Sequence, residues 1–178
     1  MQFKECYQNP FIQERADPYI TLGPDGFYYF TASYPMKSAD DKDGYDRVIL
    51  RRAKDISELA SAEEITIWKV ADTTLTHRFI WAPELHYIAG RWYVFYAGSE
   101  DKENNWAFDC HVLVCDSDDP YTGTWSEKGK FQKREDDDFS FTGFSLDMTY
   151  FEDGERSYVI WAQHSPEKIS CLYLGEVN

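Results

Sequence analysis

The sequence predicts an all-β chain made of β-propeller blades, and three observations carry that reading. One strand recurs, as FYYFTAS at 27–33, WYVFYAG at 92–98 and SYVIWAQ at 157–163, so that Tyr28, Tyr93 and Tyr158 stand 65 positions apart. Ala32, Ala97 and Ala162 keep the same interval. A glycine-containing turn precedes each copy: Asp25-Gly26, Ala89-Gly90 and Asp153-Gly154. Finally, aromatic residues make up 17% of the chain, and these favour strands and bring much apolar area. Two equal intervals with the same turn make a repeat. Four-stranded units repeated around an axis are propeller blades, and a β-sandwich with accidental strand similarity is the competing architecture.

The elements follow in order. Asn9-Pro10-Phe11 leads to a first strand starting at Ala16-Asp17-Pro18-Tyr19-Ile20, where proline at a strand start sacrifices no needed N–H. Leu22-Gly23-Pro24-Asp25-Gly26 is turn chemistry, and the second strand is 27–33. A polar loop, 38–44, precedes the third strand, 47–53; 56–64 makes a short turn, and 65–68 is a short fourth strand. The second unit repeats the plan with 79–88, 92–98, 110–115 and a fourth strand around Thr124-Trp125-Ser126. The third has 144–151, 158–163 and 169–174, and lacks a fourth strand. One partial domain over 1–178 follows, with blades at about 10–70, 76–133 and 142–178, the last incomplete. The 65-residue interval exceeds the roughly 40–50 residues of common propeller repeats. The loops are therefore long, and sites are built on long loops over rigid scaffolds.

A chain of 178 residues supports one ordinary domain. Its net charge of −14 repels phosphate backbones, which excludes nucleic acid as a partner but leaves a neutral sugar undisturbed. No apolar run approaches the roughly 18 residues of a membrane span, and the first residues lack a secretory apolar core. The expected location is the cytoplasm, with secretion as the alternative if a signal has been removed. Cys6, Cys110, Cys115 and Cys171 lack metal-type spacing and are expected as reduced, packed thiols. Cys110 and Cys115, five apart on one strand, should face opposite ways.

The interval also sorts the acidic residues. Asp17, Ala82 and Asp147 occupy one equivalent position on the three first strands, which in a propeller line the axis. Two carboxylates facing one funnel beside Trp81 suit glycoside hydrolysis: one can deprotonate water, the other can tune a neighbour by like-charge repulsion. Taken singly, each aspartate could equally cap a strand start.

The segments Asn9-Pro10-Phe11, Ala16-Asp17-Pro18, Trp81-Ala82-Pro83-Glu84, Ser145-Leu146-Asp147 and Asp119-Pro120 with Gly123-Thr124-Trp125 together resemble glycoside hydrolase family 43. That resemblance covers nearly the whole chain. It implies a five-bladed propeller hydrolysing α-L-arabinofuranosides or β-D-xylosides of plant polysaccharide with inversion. It further implies Asp17 as general base, Asp147 as pKa modulator and orienter, and Trp81, Ala82 and Leu146 as sugar-pocket lining. The family's general acid is a glutamate of the fourth blade, so this chain is expected to be the N-terminal part of such an enzyme. Glu84, Glu167 and Glu176 are not moved into that role. The family's axial metal or histidine site depends partly on later blades; no metal and no cofactor is expected here.

Other signals are read as ordinary. Asp41-Lys42-Asp43-Gly44 lacks the closing acid of a calcium loop, and Gly143-Phe144-Ser145 lacks the closing glycine of a nucleophile elbow. His77, His86, His111 and His164 show no ligand spacing and are expected as surface or packed polar residues, and Asp136-Asp137-Asp138 as a solvated loop. The competing functions are a non-catalytic sugar-binding half-propeller and a scaffold that self-associates through open blade edges.

Overall fold

The computed structural model describes residues 7–38, 40–41, 43–72, 78–101, 104 and 106–177, with Arg78 by its backbone alone. Cys6, Lys42 and His77, named above, lie outside these residues. Three antiparallel sheets follow one another along the chain. The first is β1 (Ala16–Leu22), β2 (Tyr28–Ser33), β3 (Arg47–Ala53) and β4 (Ile65–Lys69), in that spatial order. The second is β5 (Arg78–Ile88), β6 (Arg91–Ser99), β7 (Phe108–Cys115) and β8 (Trp125–Lys130). The third has three strands, β9 (Ser145–Asp153), β10 (Arg156–His164) and β11 (Ser170–Val177). The recurring segments are the second strands of these three blades, as the repeat required. The short turn expected at 56–64 is a 3₁₀ helix, Ile56–Ala60, whose first turn is capped by Asp55 accepting from Ser57 N at 2.8 Å. The fourth strand of the second blade runs further than the sequence marked.

The turn glycines have the backbone the repeat needs. Gly26, Gly90 and Gly154 have φ of 74°, 84° and 66°, a region that side chains disfavour. Gly123 is constrained by space: a Cβ there would stand 2.4 Å from Cys115 Sγ. That close approach lets Asp119 fold over the turn, accepting from Tyr121 N at 2.9 Å and Gly123 N, through its carbonyl, at 2.9 Å. Arg52 Nη1 reaches the same carboxylate from the first blade at 2.9 and 3.1 Å. The segment Asp119–Gly123 thus pins the first blade to the second.

Two apolar layers separate the blades. Tyr29, Val48, Leu50 and Trp68 of the first blade meet Leu85, Trp92, Tyr96 and Leu113 of the second. Phe95 and Cys110 of the second meet Met148, Val159 and Trp161 of the third. Cys110 and Cys115 belong to different layers and so face opposite ways; both are free thiols, as is Cys171. His111, fully buried, stacks on Tyr96 at 5.2 Å, with Glu127 3.6 Å from its Nδ1. Among the described residues no helix is long and apolar enough to cross a membrane.

The two end faces differ from each other. The outer face of the first blade carries its own layer, in which Phe11, Ile12 and Ile56 and Leu59 of the 3₁₀ helix cover Phe30, Ala32 and Ile49. The third blade leaves Phe151, Leu172 and Leu174 exposed, at 42, 75 and 61%.

Candidate active site

The innermost strands β1, β5 and β9 lie side by side, β1 against β5 and β5 against β9. Each is interrupted at the same place. The pairing register shifts between Ala16 and Tyr19, between Trp81 and Glu84, and in β10 between Ile160 and Ala162, opposite Asp147. At the centre of these irregularities Asp17, Ala82 and Asp147 have φ of 50°, 44° and 53°. A positive φ is uncommon outside glycine and costs on the order of 1–3 kcal/mol. Finding it at all three repeat-related positions marks a built feature, since bulges of this kind re-aim a side chain out of the ladder.

Asp17 is held from the neighbouring strand. Ser33 Oγ, fully buried at the end of β2, donates to Asp17 Oδ2 at 2.8 Å and accepts from Ala82 N at 2.8 Å. One hydroxyl therefore fixes the first and second blades' equivalent positions relative to each other. Asp147 faces the same region. Burial, then the charge of Asp17, then that of Glu84 push its carboxyl above the usual range. A carboxyl raised in this way opposes folding at neutral pH, and the penalty disappears as pH falls through the raised range. Leu146 is half-buried and lies across from Ala162.

Below the aspartates lies a polar relay that sequence reasoning missed. His86, 5% exposed, has Nε2 3.0 Å from Glu84 Oε2 and Nδ1 3.4 Å from the Tyr19 hydroxyl. Burial and the nearby Glu84 push the Tyr19 phenol up to about 12. Tyr19 and Glu84 occupy positions related by the 65-residue interval, which was the signal available for finding them. His86 thus confirms as a packed polar residue, and Glu84 is engaged by it.

Trp81 stands in an aromatic wall. It stacks on Phe108 at 4.3 Å and meets Tyr45 and Trp106 edge-on at 5.8 and 6.1 Å. Its indole N–H is enclosed with no acceptor among the described residues, a cost on the order of 1–3 kcal/mol at the site. The described residues contain no group of three or more His, Cys, Asp or Glu arranged to hold a metal ion.

The profile of the group described as Glycosyl hydrolases family 43 matches residues 7–178. This chain belongs to glycosyl hydrolase family 43. Its relatives include the extracellular exo-α-(1→5)-L-arabinofuranosidase of Streptomyces chartreusis, 39% identical over 173 residues that span 96% of this chain and 48% of that protein. The α-L-arabinofuranosidase 43 of Humicola insolens is 40% identical over 162 residues, covering 91% of this chain and 30% of that protein. The crystal structure of α-L-arabinofuranosidase from Lactobacillus brevis superposes with a TM-score of 0.79 at 36% identity, over 96% of this chain and 51% of that one. The chain thus spans about half or less of the length of these proteins.

Proposed function

We propose that this chain supplies the base-bearing part of an inverting glycosidase that releases terminal α-L-arabinofuranosyl residues, with terminal β-D-xylosyl residues as the runner-up, from plant-type polysaccharide or its oligosaccharides. The observation that carries the reading is the threefold backbone irregularity that presents Asp17 and Asp147 to one axis. In this reading Asp17 takes a proton from the attacking water, which enters opposite the leaving group. Ser33 leaves one Asp17 oxygen free for that work by binding the other. Asp147, its carboxyl pushed up by burial and by its acidic neighbours, tunes the acid and orients the sugar. Trp81, Ala82 and Leu146 line the pocket. The leaving oxygen is protonated by a glutamate outside this chain: Glu84 is tied to His86, Glu176 sits on β11, and Glu167 bonds Ser165 in the turn before it, so the last two lie away from the inner strands. In inverting enzymes acid and base stand roughly 6.5–9.5 Å apart, which leaves room for the water. The single domain, with blades at about 10–70, 76–133 and 142–178, is part of the same proposal.

The test is turnover of 4-nitrophenyl α-L-arabinofuranoside and β-D-xyloside. The expected result is hydrolysis by a longer protein containing this chain, faster on the arabinoside, and little or none by the 178 residues alone. Normal turnover by the 178 residues would overturn the placement of the acid and make Glu84 the first residue to replace. The Streptomyces relatives are described as extracellular, and a polymeric substrate is met outside cells, so we favour secretion over the cytoplasm.

Self-association through open blade edges is also proposed, supported by the exposed Phe151, Leu172 and Leu174. Light scattering should give a mass above that of the 20.9 kDa chain at micromolar concentration; a constant monomer mass would overturn this.

A further inference from the structure

Beyond the pocket-lining residues, the rim holds a large aromatic side chain that nothing in the fold explains. Trp106 is 67% exposed, although an indole gains more from burial than almost any other side chain. Ser99, fully buried, donates through Oγ to Asn104 O at 3.2 Å, while Asn104 Oδ1 accepts from Trp106 N at 3.1 Å and Asn104 O from Ala107 N at 3.0 Å. Asn104 thus holds the Trp106 N–H through its side chain and is itself anchored to Ser99 and Ala107 through its carbonyl.

The indole is also propped from the site. Its ring meets Trp81 edge-on at 6.1 Å and 75°, and it lies 6.4 Å from Phe144. Phe144 in turn stacks on His164 at 5.0 Å and 30°. Trp81 adjoins Ala82, and Phe144 lies three residues before Asp147, so the ledge starts at the pocket and runs outward over the junction of the second and third blades.

We propose that Trp106 is the platform on which the sugar unit on the leaving-group side of the cleaved bond stacks, which makes it a specificity-determining residue for substrates of two or more units. This rests on the glycosidase reading above. The occupant is a neutral saccharide for three reasons. A sugar ring offers an apolar C–H face that packs on an aromatic plane, with hydroxyls left at its edges for water. A chain of net charge −14 repels an anionic ligand. Continuity with Trp81 and Phe144 places the ring one unit beyond the pocket rather than within it.

The experiment is calorimetric titration of this chain with L-arabinose and with α-1,5-linked arabinobiose, using wild type, Trp106→Ala and Trp106→Phe. The second sugar unit should tighten binding by about tenfold in wild type, the size expected of one aromatic contact. Trp106→Ala should lose that increment and bind arabinose as wild type does, while Trp106→Phe should keep part of it. Retention of the increment by Trp106→Ala overturns the proposal. So does an equal loss for arabinose alone, which would make Trp106 a prop for Trp81. Arabinose binding in wild type with no gain from the second unit sinks the platform and leaves the glycosidase reading standing; absence of any sugar binding, together with absence of turnover in the longer protein, sinks both.

Discussion

Replacing Asp17 by asparagine is expected to lower hydrolysis by about 10²–10⁴-fold in a protein that contains this chain and supplies the acid, with sugar binding nearly unchanged. The amide keeps the shape of the carboxylate, and its oxygen can still accept from Ser33 Oγ, so the bridge from Asp17 through Ser33 to Ala82 N survives. What is lost is the capacity to take a proton from water. A small anionic nucleophile needs no such help. Azide added to the Asp17→Ala variant should attack the anomeric carbon in place of water, forming a C–N bond as the C–O bond to the leaving group breaks and the acid protonates the departing oxygen. The product would be a glycosyl azide of inverted configuration, identifiable by NMR. Asp17→Asn turning over at the wild-type rate would remove Asp17 from the base role, and azide rescue without a glycosyl azide would remove the inverting geometry.

The second large effect concerns stability and the last residue of the third recurring strand. Gln163, 1% exposed near the end of β10, gathers the loop that leads into β9. Its Oε1 accepts from Phe141 N at 2.7 Å and Trp161 Nε1 at 3.1 Å, and its Nε2 donates to Phe139 O at 2.8 Å and Thr142 Oγ1 at 3.2 Å. Ser145 Oγ adds a longer contact at 3.4 Å. Gln163→Leu has similar volume but strands the buried Trp161 Nε1 and the part-buried Phe141 N, while Phe139 O keeps Thr142 Oγ1 as a donor. Each such group costs about 1–3 kcal/mol, so the loss should be on the order of 4 kcal/mol. Urea unfolding read by tryptophan fluorescence measures it, and a loss below about 1 kcal/mol would show that the loop re-pairs its groups without Gln163.

Much of the molecule was legible beforehand, for reasons that lie in local pattern. The repeated strands show because alternation and aromatic content set each strand locally, and the turn glycines at Gly26, Gly90 and Gly154 show because only a residue without Cβ takes their backbone freely. The equivalence of Asp17, Ala82 and Asp147 shows because duplicated units keep their spacing. The family 43 motifs show because each sits within a few consecutive residues. The one-sided covering of the end faces was not legible: Phe11, Ile12 and the 3₁₀ helix fold back over the first blade through contacts that no period marks.

The site's supports belong to a different class of information. Ser33 meets Ala82 across 49 residues, Tyr19 meets His86 across 67, and Gln163 meets Phe139 across 24. Trp106 reaches Trp81 only because the ends of β5 and β6 lie together at one rim. Ser33 and Gln163 end two copies of the recurring strand, but the repeat does not say what either bonds, since the role of each, like that of the lone Trp106, depends on what the packing of whole blades places opposite it. The positive φ at Asp17, Ala82 and Asp147 is of the same kind: none of the three residues prefers that conformation, and it persists because the surrounding ladders over-determine the backbone there. Pattern along the chain therefore specified the strands, the repeat and the paired aspartates, while the packing of blade against blade specified how those aspartates are aimed, what holds them and what stands beside them.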